Sequence, residues 1–363
     1  MPRDPRGDGA RSDAGHPPDD VAGRARRHVG FVVGLSDGGD RSSRGFGVVA
    51  RGGVRPDERT SFQIGSITKV FTALLLADAV HRGEVTYDQP LTTVFPAAAA
   101  HPSGRPIQLA DLASHTSGLP RLPRGSAAMA RRSRDDPYVG FTDAHLEAAL
   151  TDPPRRAPGG RPRYSNLGAG VLGEALARVT GWSYEALVQE RIAAPLGLVD
   201  TRVQPDGSEA SVSVGHTRRG RPVGDWHLAS LAGAGALRSS VADLLLLLEA
   251  HLAPASSPLE LAIRDVMRPR ARVNRSLGIG LGWHLLHRRG GASWWWHNGG
   301  TGGFRSFVGF DPAAARGVVA LANDTRSVDR IGHRLLAADT ARTSEARYDP
   351  PPGSLGPPPE GYA

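Results

Sequence analysis

The chain has 363 residues, 39% of them hydrophobic and 22% charged, a composition that excludes a fully disordered protein. It contains no cysteine, which excludes disulfides, thiolate nucleophiles and cysteine-ligated metal centres. The 44 Lys and Arg residues exceed the 36 Asp and Glu residues, so the formal net charge is +8. The basic residues are scattered and form no stripe with interleaved aromatic residues, so the charge does not predict a nucleic-acid partner.

Both ends of the chain are expected to lie outside the folded part. Residues 1–27 are rich in Asp, Arg, Gly and Pro without periodicity and predict a disordered arm. Residues 343–363 contain two runs of three prolines and predict a disordered tail. The N-terminal residues lack the apolar middle of a signal peptide, and no apolar run reaches the ~18 residues of a membrane span. We therefore expect a cytoplasmic protein with no membrane partner.

Strand patterns open the folded part. Residues 28–35 and 45–50 are rich in Val and Phe, and the turn cluster 36–40 between them predicts a β-hairpin. A third short run, 61–64, leads into residues 66–80, where apolar side chains recur with a period near 3.6 and predict a helix.

The middle of the chain, from about 83 to 270, has helical patterns separated by Pro- and Gly-rich loops. Helices are predicted over residues 109–114, 143–150, 168–179, 183–193 and 241–252. The chain then returns to strand patterns and ends on a helical one. Strands are predicted over 280–286, 304–310 and 317–322, and a helix over 330–338. This order predicts an α+β fold with a sheet built from both chain ends and an inserted helical subdomain.

Lys69 is the only lysine of the chain, and it follows Ser66 by three residues. On a helix this spacing places both side chains on one face. Serine needs an adjacent base to act as a nucleophile, and a desolvated lysine can lose its proton where arginine cannot. Backbone N–H groups at the start of a helix can also stabilise an oxyanion. The alternative is that Ser66 caps the helix while Lys69 is solvated.

Tyr164-Ser165-Asn166 lies between a Pro/Arg/Gly-rich loop and a predicted helix. A tyrosine there can relay protons, and an asparagine can orient both the lysine and a substrate amide. The alternative is a capping turn in which Asn166 is the N-cap and Tyr164 packs in the core.

A glycine-rich segment, residues 296–303, begins at the last of three consecutive tryptophans, 294–296. Glycines allow a backbone to approach a ligand closely, and an edge strand can offer N–H groups to a substrate. The alternatives are a tight hairpin for the glycines and either an acyl pocket or core packing for the tryptophans. His284 and His287 do not predict a metal site, because their strand spacing directs the two side chains to opposite faces.

In this order, the three segments resemble the serine β-lactamase and penicillin-binding-protein superfamily, most closely its class C branch. Phe62-Gln63-Ile64-Gly65 before Ser66 and Leu112-Ala113-Ser114-His115-Thr116-Ser117-Gly118-Leu119-Pro120 extend the resemblance, which covers about residues 28–340. It implies a catalytic domain over residues 28–342, with an antiparallel sheet flanked by helices and an all-helical subdomain over roughly 83–270. The active site would lie between the sheet and the subdomain.

The resemblance also implies roles for individual residues. Ser66 would be the acylated nucleophile, Lys69 its base, and Tyr164 the group that moves protons. Asn166 would bind the substrate amide, and the N–H groups of Ser66 and Gly300 would form the oxyanion hole. The stretch that contains His115 is expected to be structural.

The sequence differs from the class C pattern on the predicted edge strand. His297-Asn298-Gly299 stands where classical members have Lys-Thr-Gly, and with Gly300 it is predicted to contact substrate. Because histidine is often neutral near pH 7, a fixed charge for a substrate carboxylate is lost. In this respect the chain resembles relatives that act as D-amino-acid-specific peptidases, esterases or amidases.

We therefore expect a serine hydrolase that acts on a small-molecule ester, amide or β-lactam, without a cofactor or metal. The alternatives are a transacylase that uses the same acyl-enzyme and a ligand-binding member of the fold that has lost catalysis.

Overall fold

The computed structural model describes residues 19–126, 131, 133, 136–205, 211–288, 291 and 293–338. The predicted tail, residues 343–363, lies outside the described residues, as do residues 1–18 of the predicted arm. In the described part, no helix is both long enough and apolar enough to cross a membrane.

An eight-stranded antiparallel sheet is the largest element of the fold. Its spatial order is β2-β1-β13-β12-β11-β10-β9-β8. The strands are β1 Gly30–Asp37, β2 Asp40–Gly47, β8 Ala271–Arg272, β9 Leu277–Ile279, β10 His284–His287, β11 Ser293–Gly300, β12 Arg305–Asp311 and β13 Arg316–Ala322. The first strand pairs with the last one, with Phe31 opposite Ala322. The predicted α+β fold, with a sheet built from both chain ends, is therefore confirmed, and so is the hairpin that opens it.

Helices pack on both faces of this sheet and also form the inserted region. The described helices are α1 Asp19–Ala25, α2 Thr68–His81, α3 Leu109–Ala113, α4 Asp143–Leu150, α5 Asn166–Thr180, α6 Tyr184–Val188, α7 Ala194–Leu196, α8 Val241–Leu252, α9 Glu260–Val266 and α10 Asp329–Ala337. A π-helical turn, Gln189–Ala193, joins α6 to α7.

Helix α2 lies at the centre of the molecule. All its residues from Thr68 to Ala79 are buried, so it has no polar face, which is the pattern of a helix surrounded by other elements. It packs in the larger apolar cluster together with α5, α8 and the face of the sheet that carries Trp295. The N-terminal end of this buried helix therefore lies between the sheet and the helical region.

The opposite face of the sheet carries a second, smaller apolar cluster. Helix α10 contributes Ile331 and Leu335 to it, and the sheet contributes Trp294 and Trp296. The three consecutive tryptophans are thus divided between the two faces of β11, and all are buried. Core packing, rather than an acyl pocket, explains them.

Helix α1 corrects the predicted boundary of the disordered arm. The predicted arm includes residues 19–27, but Val21 and Ala25 are fully buried in the smaller cluster beside Phe31. A seven-residue helix is too short for a clear periodic pattern, and its stability comes from packing against the sheet rather than from its own sequence.

The subdomain over residues 83–270 is not all-helical, which is a second correction. It contains β4 Ser211–Val212, β5 Gly215–His216, β6 Pro222–Val223 and β7 Arg238–Ser239. Strands β4 and β7 flank β3 Thr60–Gln63, the strand that leads to Ser66. Strands of two residues are too short for a period-2 pattern, so the sequence did not predict them.

The predicted strand 280–286 is interrupted, because the chain turns between β9 and β10. Gly282 has a φ of +71°, and a Cβ on it would lie 2.7 Å from the carbonyl oxygen of Lys69. A glycine is needed here both for the backbone conformation and for the close approach to α2. The turn thereby brings His284 towards the N-terminal end of α2.

Candidate active site

The predicted nucleophile lies on a tight turn immediately before α2. Gly65 has a φ of +51° and begins a 3₁₀ turn, Gly65–Ile67, that continues into the helix. Ser66 is partly exposed, whereas Lys69 is only 3% exposed. The Nζ atom of Lys69 lies 3.0 Å from the Oγ atom of Ser66. The two side chains therefore face each other at the start of the helix, as their spacing predicts.

The surroundings of Lys69 favour its neutral form. Burial, together with the charge of Arg121, lowers the pKa of Lys69 well below its usual range. Its Nζ donates to the carbonyl oxygen of Ala234 at 2.6 Å and lies 4.8 Å from the centre of the Tyr164 ring. The alternative of a solvated Lys69 is wrong, and a neutral amine beside a hydroxyl can take its proton.

Tyr164 is placed beside this pair by the start of α5. Ser165 is the N-cap of that helix and accepts from the backbone N–H of Gly168 at 2.8 Å, so the predicted alternative with Asn166 as the cap is wrong. Burial raises the pKa of the Tyr164 phenol above its usual range, and a hydrogen bond with Ser66 acts in the opposite direction. The phenol therefore keeps its proton at neutral pH.

His115 supports Tyr164 from the neighbouring loop. The two rings are 4.6 Å apart, and Nδ1 of His115 lies 3.3 Å from the backbone nitrogen of Ser165. Burial holds the pKa of His115 well below its usual range, so the imidazole is neutral and its Nδ1 can accept this hydrogen bond. The residue orients Tyr164, in keeping with the structural role predicted for its stretch.

Asn166, the first residue of α5, has a side-chain acceptor that no described residue uses. Its Oδ1 atom is buried and has no hydrogen-bond partner among the described residues. A hydrogen bond with Asn166 also lowers the pKa of Tyr138, which burial raises. A buried amide oxygen without a partner is costly, so this atom is suited to accept an N–H group from a ligand.

The edge of the cleft opposite α5 is the end of β11. A Cβ on Gly299 would overlap the carbonyl oxygen of Ile64 and lie 3.0 Å from the backbone nitrogen of Ser66. A Cβ on Gly65 would lie 2.7 Å from the backbone nitrogen of Gly300. Glycines on both sides thus let β11 approach the nucleophile turn backbone to backbone. Ser306, on the next strand, stabilises the approach by donating to the Ile64 carbonyl at 2.7 Å.

His297 lies on the face of β11 that points towards this cleft. It is 1% exposed, and its ring lies 6.3 Å from that of Tyr164 and is stacked 4.9 Å from that of His284. Burial, with further effects from His284 and Lys69, holds the pKa of His297 well below its usual range. The imidazole is therefore neutral, so β11 brings no fixed charge to the site at this position.

The side chain of Asn298 does not face the cleft, which corrects the prediction that it contacts substrate. Its Nδ2 atom donates to Asp329 at 2.9 Å, on the face covered by α10. Successive side chains of a strand point to opposite faces, so His297 and Asn298 cannot both line the site.

Three contributors to the site were not identified from the sequence: Ala234, Tyr138 and Arg121. Ala234 acts through its carbonyl oxygen, for which a sequence carries no signal. Tyr138 and Arg121 come from loops that meet α5 only in the folded chain.

Metal-ligating side chains are not clustered in the described part of the chain. No group of three or more His, Asp or Glu residues there could hold an ion. His284 is buried while His287 is exposed, as expected for strand residues three positions apart.

A serine hydroxyl beside a buried lysine and a tyrosine is an arrangement that could form an acyl-enzyme. A model of the Beta-lactamase family matches residues 19–342, and the chain therefore belongs to this family. The match confirms the resemblance to the serine β-lactamase and penicillin-binding-protein superfamily, and the protein is a serine hydrolase of that type.

Individual relatives agree with this assignment. The chain is 28% identical over 320 residues to the D-alanyl-D-alanine-carboxypeptidase/endopeptidase AmpH of Escherichia coli (strain K12), covering 81% of this chain and 80% of AmpH. Its fold matches an octameric penicillin-binding protein homologue from Pyrococcus abyssi with a TM-score of 0.78 and 25% identity, covering 89% and 76% of the two chains. It also matches the fold of a class C β-lactamase from Rhodobacter sphaeroides with a TM-score of 0.77 and 23% identity, covering 90% and 98%.

Proposed function

We propose that the protein cleaves an ester or amide through an acyl-enzyme on Ser66. The observation that carries the proposal is the 3.0 Å distance between the Ser66 hydroxyl and the Nζ atom of Lys69, and burial lowers the pKa of Lys69 well below its usual range. No other lysine exists in the chain to supply this base.

Acylation begins when Ser66 attacks the substrate carbonyl carbon and its proton passes to Lys69. The carbonyl electrons move onto oxygen, and the backbone N–H groups of Ser66 and Gly300 stabilise the resulting anion. Asn166 accepts the amide N–H of the substrate through its free Oδ1 and so orients the carbonyl.

The intermediate collapses when the bond to the leaving group breaks. Tyr164 donates its proton to the leaving group and receives one from Lys69, which returns the lysine to its neutral form. Water then attacks the acyl carbonyl carbon, and its proton passes through the Tyr164 hydroxyl to Lys69. When the bond to the Ser66 Oγ atom breaks, Lys69 returns this proton to that oxygen, so Ser66 leaves as the hydroxyl and the carboxylic acid is released. An amine or alcohol in place of water would give transacylation.

For the substrate class, we propose D-amino-acid peptides, amides or esters rather than β-lactams as the preferred group. Similarity to the carboxypeptidase/endopeptidase AmpH supports D-alanyl peptides as candidates. His297-Asn298-Gly299 on β11 is a further reason, because this segment resembles that of relatives that act as D-amino-acid-specific peptidases, esterases or amidases. Cytoplasmic location, and the absence of nucleic-acid, membrane and cofactor partners, stay predictions from the sequence.

The test is to label the protein with a fluorophosphonate and measure its mass, with Ser66→Ala as the control. We expect one adduct on Ser66 and none on the variant. A panel of p-nitrophenyl esters, D-amino-acid amides, a D-alanyl-D-alanine peptide and nitrocefin then identifies the substrate class. An unlabelled parent protein without turnover of any of these compounds would contradict the proposal and favour the ligand-binding alternative.

A further inference from the structure

We propose that Arg121 binds a carboxylate of the substrate and thereby replaces, from the helical side of the cleft, the charge that β11 lacks. The inference rests on the proposed function and names the feature of the substrate that the site recognises.

Arg121 is fixed to the same helix end that carries Asn166. Its carbonyl oxygen accepts from the backbone N–H groups of Asn166 at 2.9 Å and Leu167 at 3.2 Å, the first two residues of α5. The residue follows the stretch that ends at Pro120, whose carbonyl accepts from Ser165 at 2.7 Å. The loop therefore holds Arg121 at a defined place beside the cleft.

The guanidinium of Arg121 extends over the catalytic group. Its Cζ atom lies 5.3 Å from the centre of the Tyr164 ring, a distance at which a cation and an aromatic ring attract each other. Its charge also lowers the pKa of Lys69, Tyr164 and His115. The charge of Arg121 therefore acts on three titratable groups near Ser66.

Arg121 has no acidic partner in the described part of the chain. It is exposed, and no hydrogen bond or ion pair of its side chain to any described residue is present. Other arginines of this region have hydrogen-bond or ion-pair partners. Arg124 is paired with Asp152 at 3.1 Å, and Arg305, beside Gly300, donates to the carbonyl oxygens of Thr301 and Phe304 at 2.8 Å. Arg121 can therefore accept an external anion without losing a partner.

A substrate carboxylate suits this position. The planar guanidinium can donate two parallel hydrogen bonds to the two oxygens of a carboxylate, which gives direction as well as strength. Of the other basic groups beside the cleft, Lys69 and His297 have pKa values that burial holds well below their usual ranges, and Arg305 already donates to two backbone carbonyls. A substrate with a carboxylate on the side of Tyr164 would thus find its charge partner in Arg121.

The experiment measures how strongly two small probes protect Ser66 from fluorophosphonate labelling. The probes are N-acetyl-D-alanyl-D-alanine and its C-terminal amide, which differ only in the carboxylate. In the parent protein we expect the acid to protect at lower concentration than the amide, and added salt to reduce that difference. In Arg121→Gln, the ratio of the two protection constants is expected to fall about 10-fold or more, the usual size of a lost charge-assisted hydrogen bond.

Arg124→Gln is the matched control, because it removes the same charge three residues further along the same loop. In Arg124→Gln, the ratio of the protection constants of the acid and the amide should equal that of the parent protein. The ratio of acid to amide cancels any general effect of Arg121 on the reactivity of Ser66. Equal protection by the two probes, protection by neither, or a ratio in Arg121→Gln within twofold of the parent would overturn the assignment. If Ser66 is not labelled at all, the proposed function itself fails.

Discussion

Lys69→Arg is expected to lower the rate constant for acylation of Ser66 by about 10²- to 10⁴-fold, the usual contribution of a positioned general base. The guanidinium stays protonated and cannot take the Ser66 proton, although it keeps the positive charge that a protonated lysine would have. Stopped-flow spectrophotometry of p-nitrophenol release measures fast acylation. Fluorophosphonate labelling followed by mass spectrometry measures slow acylation.

Lys69→Met separates the two possible roles of Lys69. If the residue acts as a base, the Met and Arg variants lose acylation to a similar extent. If it acts only as a fixed charge, the Arg variant keeps a rate within a few-fold of the parent protein, and the assignment is wrong. Because Lys69 is buried beside the Ala234 carbonyl, melting temperature and circular dichroism must show that each variant is folded.

Gly299→Ala is expected to reduce acylation by about 10²- to 10³-fold, as the loss of one oxyanion-hole donor does in other hydrolases. The added methyl group would overlap the carbonyl oxygen of Ile64, so β11 must move away from the nucleophile turn. That movement would carry the N–H group of Gly300 away from the position that the oxyanion occupies. Overpacking of this kind also costs about 1–3 kcal/mol of stability.

Gly278→Ala is the control for this variant. Gly278 lies on β9 of the same sheet, and a Cβ added to it would meet no atom closer than 3.5 Å, which is an ordinary contact. The Gly278→Ala variant should therefore keep both the acylation rate and the melting temperature of the parent protein. A Gly299→Ala variant that acylates at the parent rate would show that the close approach of β11 is not needed for the reaction.

Much of the site could be predicted because its chemistry depends on short-range spacing. Ser66 and Lys69 are three residues apart on one helix, and that spacing brings their side chains together wherever the helix lies. The alternation of strand side chains likewise separates His284 from His287. The sheet was predicted from strand patterns at both ends of the chain, and the pairing of β1 with β13 agrees.

The parts that the sequence did not predict depend on contacts between distant segments. Arg121 lies beside Tyr164 because its carbonyl oxygen accepts hydrogen bonds from the backbone N–H groups at the start of α5. The register of β11 in the sheet determines the face on which the Asn298 side chain lies. On that face, Asp329 of α10 accepts a hydrogen bond from Asn298. Helix α1 has too few residues for a periodic signal and depends on the sheet for its burial.

The pH dependence of acylation tests most directly that Lys69 carries no proton when Ser66 reacts. Burial lowers the pKa of Lys69, so the neutral base is present above that lowered pKa and is lost as the pH falls through it. With a neutral fluorophosphonate, the rate of Ser66 labelling should reach its plateau well below the usual lysine range near pH ~10.4. A rate that still rises tenfold per pH unit between pH ~9 and ~10 would show an ordinary, protonated lysine and contradict the account.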